Sequence, residues 1–127
     1  MKPDPLTSAQ HKRLREGLAL FNRGEFFECH EVLEAVWLEA SGEDKVFLQG
    51  LIQVTVSFYH LRRRNFAGSS RLLRAALEKL SSPSRCQQLI NTASLLETLR
   101  PLPERIEAGQ ASPDTPAPEI QLQPAPH

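Results

Sequence analysis

The chain lacks the features that identify secreted, membrane-spanning or zinc-ribbon proteins. Its two cysteines, Cys29 and Cys86, lie far apart and form no CxxC pair, which argues against both a zinc ribbon and a disulfide scaffold. No stretch reaches the roughly 18 uncharged apolar residues that a membrane span requires, and no apolar secretory segment follows Met1. The sequence therefore predicts a cytoplasmic protein with free thiols and no membrane contact.

An excess of charge of either sign is also missing. The chain has 15 Lys and Arg against 15 Asp and Glu, and this balance argues against a surface built wholly to hold phosphate or anionic lipid. With 127 residues, of which 40% are hydrophobic, the chain can bury one core. A single domain is expected.

Proline is scarce in most of the chain but abundant at its end. Seven of the 10 prolines fall in residues 101–127, among Ala, Gln, Ser and Thr and with little apolar periodicity. A segment of this composition buries too little surface to offset the entropy of ordering it. The prediction is a helical domain over residues 6–100 followed by a disordered proline-rich tail over residues 101–127.

The apolar residues of the predicted domain recur with the period of a helix, and none of its segments alternates as a strand does. Turn and capping signals divide the domain into five helices. Their predicted ranges are 8–22, 25–40, 43–63, 66–80 and 84–99. The fold class is therefore all-α, a compact bundle of four to five short helices.

A weak internal repeat relates the first two helices to the next two, at an offset of about 40 residues. Phe26 of helix two aligns with Phe66 of helix four, and Leu33 aligns with Leu73. Two stacked antiparallel helical hairpins explain such a repeat. The arrangement is loosely tetratricopeptide-like, although the period of about 34 residues in that repeat does not fit.

Polar residues interrupt the apolar face of helix two. Phe27, Leu33 and Trp37 share one face of the helical wheel, and His30 and Glu34 fall in the middle of it. Because an unpartnered buried charge costs several kcal/mol, both side chains are expected to have hydrogen-bond partners or a metal ion.

Helix three supplies candidate partners. One strip carries Gln49, Gln53 and His60 beside the small residues Gly50 and Ser57, which allow another helix to approach closely. If this strip meets helix two, a polar pocket forms whose walls are Phe27 and Trp37. The candidate pocket residues are His30, Glu34, Gln49, Gln53 and His60.

Three segments together resemble a known family. They are FNRGEFFECHEVLEAVW at residues 21–37, FLQGLIQ at residues 47–53 and YHLRRRN at residues 59–65. The pattern is similar to the domain-of-unknown-function-309 family of small bacterial and archaeal helical domains. The resemblance implies a compact helical bundle and no particular activity. The family's motif residues fall on His30, Glu31, Glu34, Trp37, Gln49, Gly50, Gln53 and His60, and Arg64 stands where a glycine usually precedes the asparagine.

Two functions compete for the polar cluster. The first is a non-enzymatic interaction module in which a buried polar network holds two hairpins together. The alternative is a metal-binding protein or small hydrolase in which His30, Glu34 and His60 hold a divalent metal and Gln49 or Gln53 orients a water or substrate. The HExxE run lacks the second histidine of the zinc-protease HExxH, so that mechanism is not supported.

Charge is segregated along the chain. Residues 25–44 hold seven acids and no Lys or Arg, whereas residues 60–74 hold five arginines and no acid. A patch running from Arg62 to Arg74 for RNA or phosphate is a second alternative. The zero net charge and the absence of interleaved aromatics favour a solvated face or ion pairs with helix two. The sequence does not decide between a homodimer and another protein as partner, because it contains no heptad pattern that would predict either.

Overall fold

A computed structural model describes residues 6 to 123, and the regular structure of this part of the chain is helical apart from one isolated antiparallel bridge between Ile90 and Leu122. The helices are α1 (Ser8–Asn22), α2 (Phe26–Leu38), α3 (Gly42–Arg62), α4 (Phe66–Leu80), α5 (Thr92–Leu99) and α6 (Leu102–Glu107), with a 3-10 turn at Arg85–Gln88. The predicted all-α fold class is confirmed. None of these helices combines the length and apolar character needed to cross a bilayer.

The internal repeat corresponds to two helical hairpins with the same turn. In the α1–α2 turn Gly24 has φ 79°, and in the α3–α4 turn Arg64 has φ 64°. The hydrogen bonds that close the two turns also correspond at the same offset, from the amides of Gly24, Glu25, Arg64 and Asn65 back to the preceding helix. The two predicted hairpins are therefore present, and α2 packs on α3 between them. A tetratricopeptide likeness is not supported.

Helix α3 lies at the centre of the core, where Phe58 packs against Phe21 and Phe26 at ring-centroid distances of 6.0 and 5.9 Å. The small residues of α3 allow α4 to approach closely, as predicted. A Cβ added to Gly50 would lie 3.0 Å from the Leu80 side chain. Ser57 donates a hydrogen bond of 2.8 Å to the Ser69 carbonyl.

The predicted fifth helix, over residues 84–99, is interrupted. A 3-10 turn ends at Gln88, and α5 begins only at Thr92. The side chain of Asn91 accepts a hydrogen bond of 3.1 Å from the Ser94 amide and so caps the new helix. Asparagine favours such a capping conformation over a helix interior, which explains the interruption.

The structure differs from the predicted disordered tail in residues 101 to 123. Helix α6 buries Leu102 and Ile106 against the bundle and packs on α4. Residues 111–123, here called the strap, run back across the helices and bury Ile120. Proline is well tolerated in the first turn of a helix, so the proline count did not exclude α6. The last part of the predicted tail, residues 124–127, lies outside the described residues.

Candidate functional site

The polar pair of α2 lies at the surface and not in the core. The buried line of this helix consists of Phe26, Cys29, Leu33 and Val36. The His30 side chain is 34% exposed and the Glu34 side chain 46% exposed, and their Nε2 and Oε2 atoms lie 3.3 Å apart. The expected position at the middle of the core face is therefore corrected. The prediction took the line through Phe27 and Trp37 as the middle of the core face, whereas these two residues lie at the edge of the buried line.

The predicted strip of α3 runs beside this pair. Lys45 places its Nζ 4.4 Å from the centre of the Trp37 ring, and Phe27 contacts Tyr59 at a centroid distance of 6.1 Å. These contacts show that the two helices run antiparallel. The partly buried Gln49 and Gln53 therefore lie on the stretch of α3 opposite Glu34 and His30. Four of the five predicted pocket residues thus lie on neighbouring stretches of α2 and α3, namely His30, Glu34, Gln49 and Gln53.

One atom on this surface has an unmet hydrogen bond. The Gln53 Oε1 atom is buried and accepts no hydrogen bond within the described part of the chain. A buried acceptor without a donor costs about 1–3 kcal/mol. Within the predicted cluster, Gln53 therefore has a buried side-chain oxygen to which no group of the described chain donates a hydrogen bond.

The predicted metal ligands do not form a metal site. Across residues 6 to 123, no three His, Cys, Asp or Glu side chains come together as potential ligands of one ion. His60 lies in the last turn of α3, and its Nδ1 contacts the Asn65 Nδ2 at 3.2 Å. His30 and Glu34 pair with each other, so the structure does not assemble the trio His30, Glu34 and His60.

The same surface carries exposed apolar side chains. Among the described residues, the large hydrophobic side chains that are exposed are Phe27 at 53%, Leu38 at 63% and Val46 at 40%. Phe27 was predicted as a pocket wall, and Trp37, the other predicted wall, is partly buried beside it. Leu38 and Val46 were not predicted as site residues. Helical spacing nevertheless places Leu38, four residues after Glu34, on the same side of α2, and Val46, seven residues before Gln53, on the same side of α3. This surface is here called the α2–α3 face.

Uncompensated acids border the face on the α2 side. Other acids near α2 have cationic partners: Arg13 lies 3.6 Å from Glu39, and Arg85 lies 2.7 Å from Asp44. Within the described residues, Glu28, Glu31 and Glu34 pair with no Lys or Arg. The face therefore combines apolar anchors with carboxylates on its α2 side, while Lys45 and Arg63 lie on its α3 side over the rings of Trp37 and Tyr59.

The arginines of residues 60–74 do not form one open patch. Arg62 donates hydrogen bonds of 2.9 and 2.8 Å to two strap carbonyls. Arg74 pairs through two contacts with Glu107 of α6, at 3.0 and 2.6 Å, and this pairing raises the pKa of Arg74 and lowers that of Glu107. Arg63 lies over the Tyr59 ring. The predicted ion pairs with the acids of α2 do not form at Arg62 and Arg74, whose partners are the strap and α6.

Residues 14–72 match the family described as Domain of unknown function (DUF309). This segment is a DUF309 domain. The uncharacterized protein YpuF of Bacillus subtilis (strain 168) is 36% identical over 90 residues, which make up 68% of this chain and 52% of YpuF. The chain thus spans about half the length of this relative. The DUF309 match includes the whole α2–α3 face, whereas α5, α6 and the strap lie beyond it.

Proposed function

We propose that the DUF309 domain is a non-enzymatic interaction module whose α2–α3 face binds a basic amphipathic helix of a partner protein. One observation carries the proposal. The exposed large hydrophobic residues of the described chain, Phe27, Leu38 and Val46, all lie on this face. Single exposed apolar residues are ordinary on a protein surface, but a cluster of them is typical of a protein contact.

The dimensions of the face suit a helix. Phe27 and Leu38 stand at opposite ends of α2, about 16 Å apart along the helix axis. Tyr59 lies beside Phe27 at one end. A partner helix of about three turns would reach both apolar ends with anchors on one side. Such anchors at helical spacing are the usual way in which an amphipathic helix binds a groove.

Charge favours a different protein over a second copy of this chain. A symmetric pairing through α2 would bring two rows of Glu28, Glu31 and Glu34 together, and like charges oppose such an interface. Lys or Arg residues flanking the apolar stripe of a partner would instead compensate these carboxylates. The proposed partner is therefore basic.

Gln53 gives the face a polar anchor point. Its Oε1 is buried and accepts no hydrogen bond from the described part of the chain. A rotation of the partly buried Gln53 side chain would bring this acceptor to the surface, where a donor of the partner can reach it. A hydrogen-bond donor near the middle of the partner helix is thus expected.

A photo-crosslinking amino acid at position 46 tests the proposal, and the same probe at the exposed Arg71 of α4 is the matched control. Crosslinking is carried out in cells with the full-length chain, and the captured peptides are sequenced. We expect position 46 to capture a segment with apolar residues at helical spacing and flanking Lys or Arg. An acidic segment, or capture no different from position 71, would contradict the proposal.

The captured segment is then synthesised and its affinity for the chain measured by fluorescence anisotropy. We expect Phe27→Ser, Leu38→Ser and Glu31→Lys each to weaken binding by about tenfold or more. Glu104→Lys, a charge reversal at an exposed site of α6, is the control and should leave the affinity unchanged. Equal affinity for all four variants would reject the α2–α3 face as the binding surface.

A substitution in the partly exposed His30–Glu34 pair tests binding and stability separately. Surface ion pairs contribute about 0–1 kcal/mol to folding. Glu34→Gln is therefore expected to shift the melting temperature by no more than about 3 °C while weakening the partner complex. A large loss of stability with unchanged binding would instead assign the pair to the structural network predicted from the sequence.

A further inference from the structure

The strap is held to the helices through its backbone. Arg62 donates to the carbonyls of Pro113 and Thr115 at 2.9 and 2.8 Å. The Asn22 side chain donates to the Ile120 carbonyl and accepts from the Ile120 amide, both at 2.8 Å. The Gln123 amide donates to the Leu89 carbonyl at 2.7 Å. These bonds use backbone atoms of the strap, and the Asp114 carboxylate adds an electrostatic interaction with Arg62. Another extended segment could form the backbone bonds.

The side chains at the end of the strap alternate between buried and exposed, as in an extended strand. Ile120 is 4% exposed and Leu122 packs partly against the core, whereas the intervening Gln121 is exposed. Leu122 forms an antiparallel bridge with Ile90. In strand addition the main chain supplies affinity, and pockets for alternate side chains supply specificity.

The surface beneath the strap is supported by the helices. The Arg62 guanidinium lies 5.5 and 5.8 Å from the ring centroids of Phe26 and Phe58, and Asn22 is the last residue of α1. The strap itself is incompletely packed. A cleft of about 380 Å³ separates its end from α5, and a second of about 620 Å³ lies between its start and α6.

We propose that the channel formed by Asn22, Arg62 and residues 89–90, here called the strap groove, binds an extended segment of another protein. The strap acts as its internal competitor. The expected ligand is an extended peptide with apolar residues at two alternate positions, matching Ile120 and Leu122. This site is separate from the α2–α3 face, and either can exist without the other.

Tethering makes the groove a regulated site. A segment joined by a short linker has an effective concentration in the millimolar range. An external peptide of similar affinity therefore binds only when the strap is cut, modified or held elsewhere. Access to the groove is thus set by the state of the C-terminal segment.

A cleavable chain tests this proposal. A specific protease site is inserted between Gln110 and Ala111, and the folded chain is cut and freed of the released strap by gel filtration. A fluorescein-labelled peptide of residues 111–123 is the probe, and anisotropy is the readout. We expect the cut protein to bind the probe at least about a hundredfold more tightly than the intact chain does, because the tethered competitor is gone.

Two changes test the contacts. Asn22→Ala in the cut protein should weaken binding by about tenfold or more because two hydrogen bonds are lost. Arg23→Ala is the matched control, since the Arg23 side chain pairs with Glu25 and not with the strap. A probe carrying Ile120→Asp leaves the protein unaltered and should not bind.

Three results would overturn the proposal. Loss of helical circular dichroism after removal of the strap would make the strap a structural part of the fold. Absence of binding to a helical cut protein, or equal binding by the Asn22→Ala variant, would reject the groove as a receptor. Dimers of the intact chain that disappear in the Asn22→Ala variant would assign the groove to a second copy instead of another protein.

Discussion

Arg64 adopts a backbone conformation that suits glycine. Its φ of 64° lies in the left-handed region, where Gly24 lies at the equivalent position of the first hairpin. For a residue with a side chain this conformation costs roughly 1–2 kcal/mol. Both turns thus need a residue with positive φ, and only the first turn has glycine there, which adopts this conformation without that cost. In the DUF309 pattern that the sequence resembles, a glycine usually stands at this position.

Replacing Arg64 by glycine is therefore expected to stabilise the domain. Relief of the left-handed strain exceeds the added backbone entropy of glycine, which costs about 0.5–1 kcal/mol. We expect a net gain of about 0.5 kcal/mol and a melting temperature higher by about 2 °C, measured by circular dichroism. Arg63→Gly removes the same charge at φ −97° and should destabilise the domain. Equal shifts for the two variants would show that charge, and not backbone strain, decides the outcome.

Helices α1 and α3 begin in different ways. Thr7 and Gln10 form a reciprocal capping box, with bonds of 2.8 and 3.1 Å between each side chain and the other residue's amide. Gln10 also donates to Glu39 at 3.2 Å, which ties the start of α1 to the end of α2. Ser41 stands at the corresponding cap position of α3 but makes no side-chain capping bond. The first turn of α3 is instead held by Asp44, which accepts a hydrogen bond from Ser84 and pairs with Arg85.

The two caps should respond differently to alanine. Thr7→Ala is expected to cost about 1 kcal/mol, because the Gln10 amide at the start of α1 loses the Thr7 hydroxyl that accepts its hydrogen bond. Ser41→Ala should change the free energy of unfolding by no more than about 0.5 kcal/mol, since no capping bond is lost. Urea unfolding of both variants measures the difference. Similar losses would mean that the cap geometry does not decide the stability of either helix.

The sequence predicts a helix well where local capping residues fix its ends, and poorly where contacts between residues far apart in sequence decide the structure. The predicted ranges of α1 and α4 agree with the structure, because Thr7 and Asn65 give clear capping signals at their starts. The predicted fifth helix was too long, because apolar spacing continued through Asn91 while the capping bond of that residue ended the helix. The order of residues 101–123 depends on contacts such as Ile120 with Asn22, far apart in sequence, which composition does not report.

The structure places the predicted site residues nearer the surface than the sequence suggested, and whether they form a functional site stays a prediction. Wheel geometry grouped His30 and Glu34 with Phe27 and Trp37, and these residues do lie along one side of α2. The wheel does not say which side faces the core, and the packing of Cys29 and Leu33 decides that. Gln53 of α3 lies opposite α2 only because the two helices pack as neighbours. The sequence did not determine that packing, so the prediction was made on the condition that they meet.

At the scale of the molecule, one core includes both thiols. Cys29 of α2 and Cys86 of the 3-10 turn are buried, and the Cys29 Sγ lies 3.7 Å from the Thr55 Oγ1. Burial raises the pKa of Cys29 to about 11 and that of Cys86 to about 12. The two thiols therefore report on the integrity of the fold from separate elements.

Thiol chemistry should follow global unfolding. At pH 8 the native thiols are expected to react with a disulfide reagent at least about a hundredfold more slowly than in denaturant, because the reactive thiolate is suppressed. The unfolded chain loses these protons near pH 9, whereas the native chain holds them to about 11 or 12. This contribution to stability is complete below pH 9 and is lost as the pH rises towards 12. Native reaction as fast as that of the unfolded chain would contradict the burial of both cysteines.

The way the strap is fastened also sets how the molecule would respond to mechanical load. Its backbone bonds lie in sequence along the chain, from Gln123 through Ile120 to Thr115 and Pro113. A pull on the C terminus would break them one after another, as a zipper opens, before tension reached α6. Such peeling needs less force than shearing all the bonds at once, so a cargo attached at this end could release the strap and leave helices α1 to α6 folded.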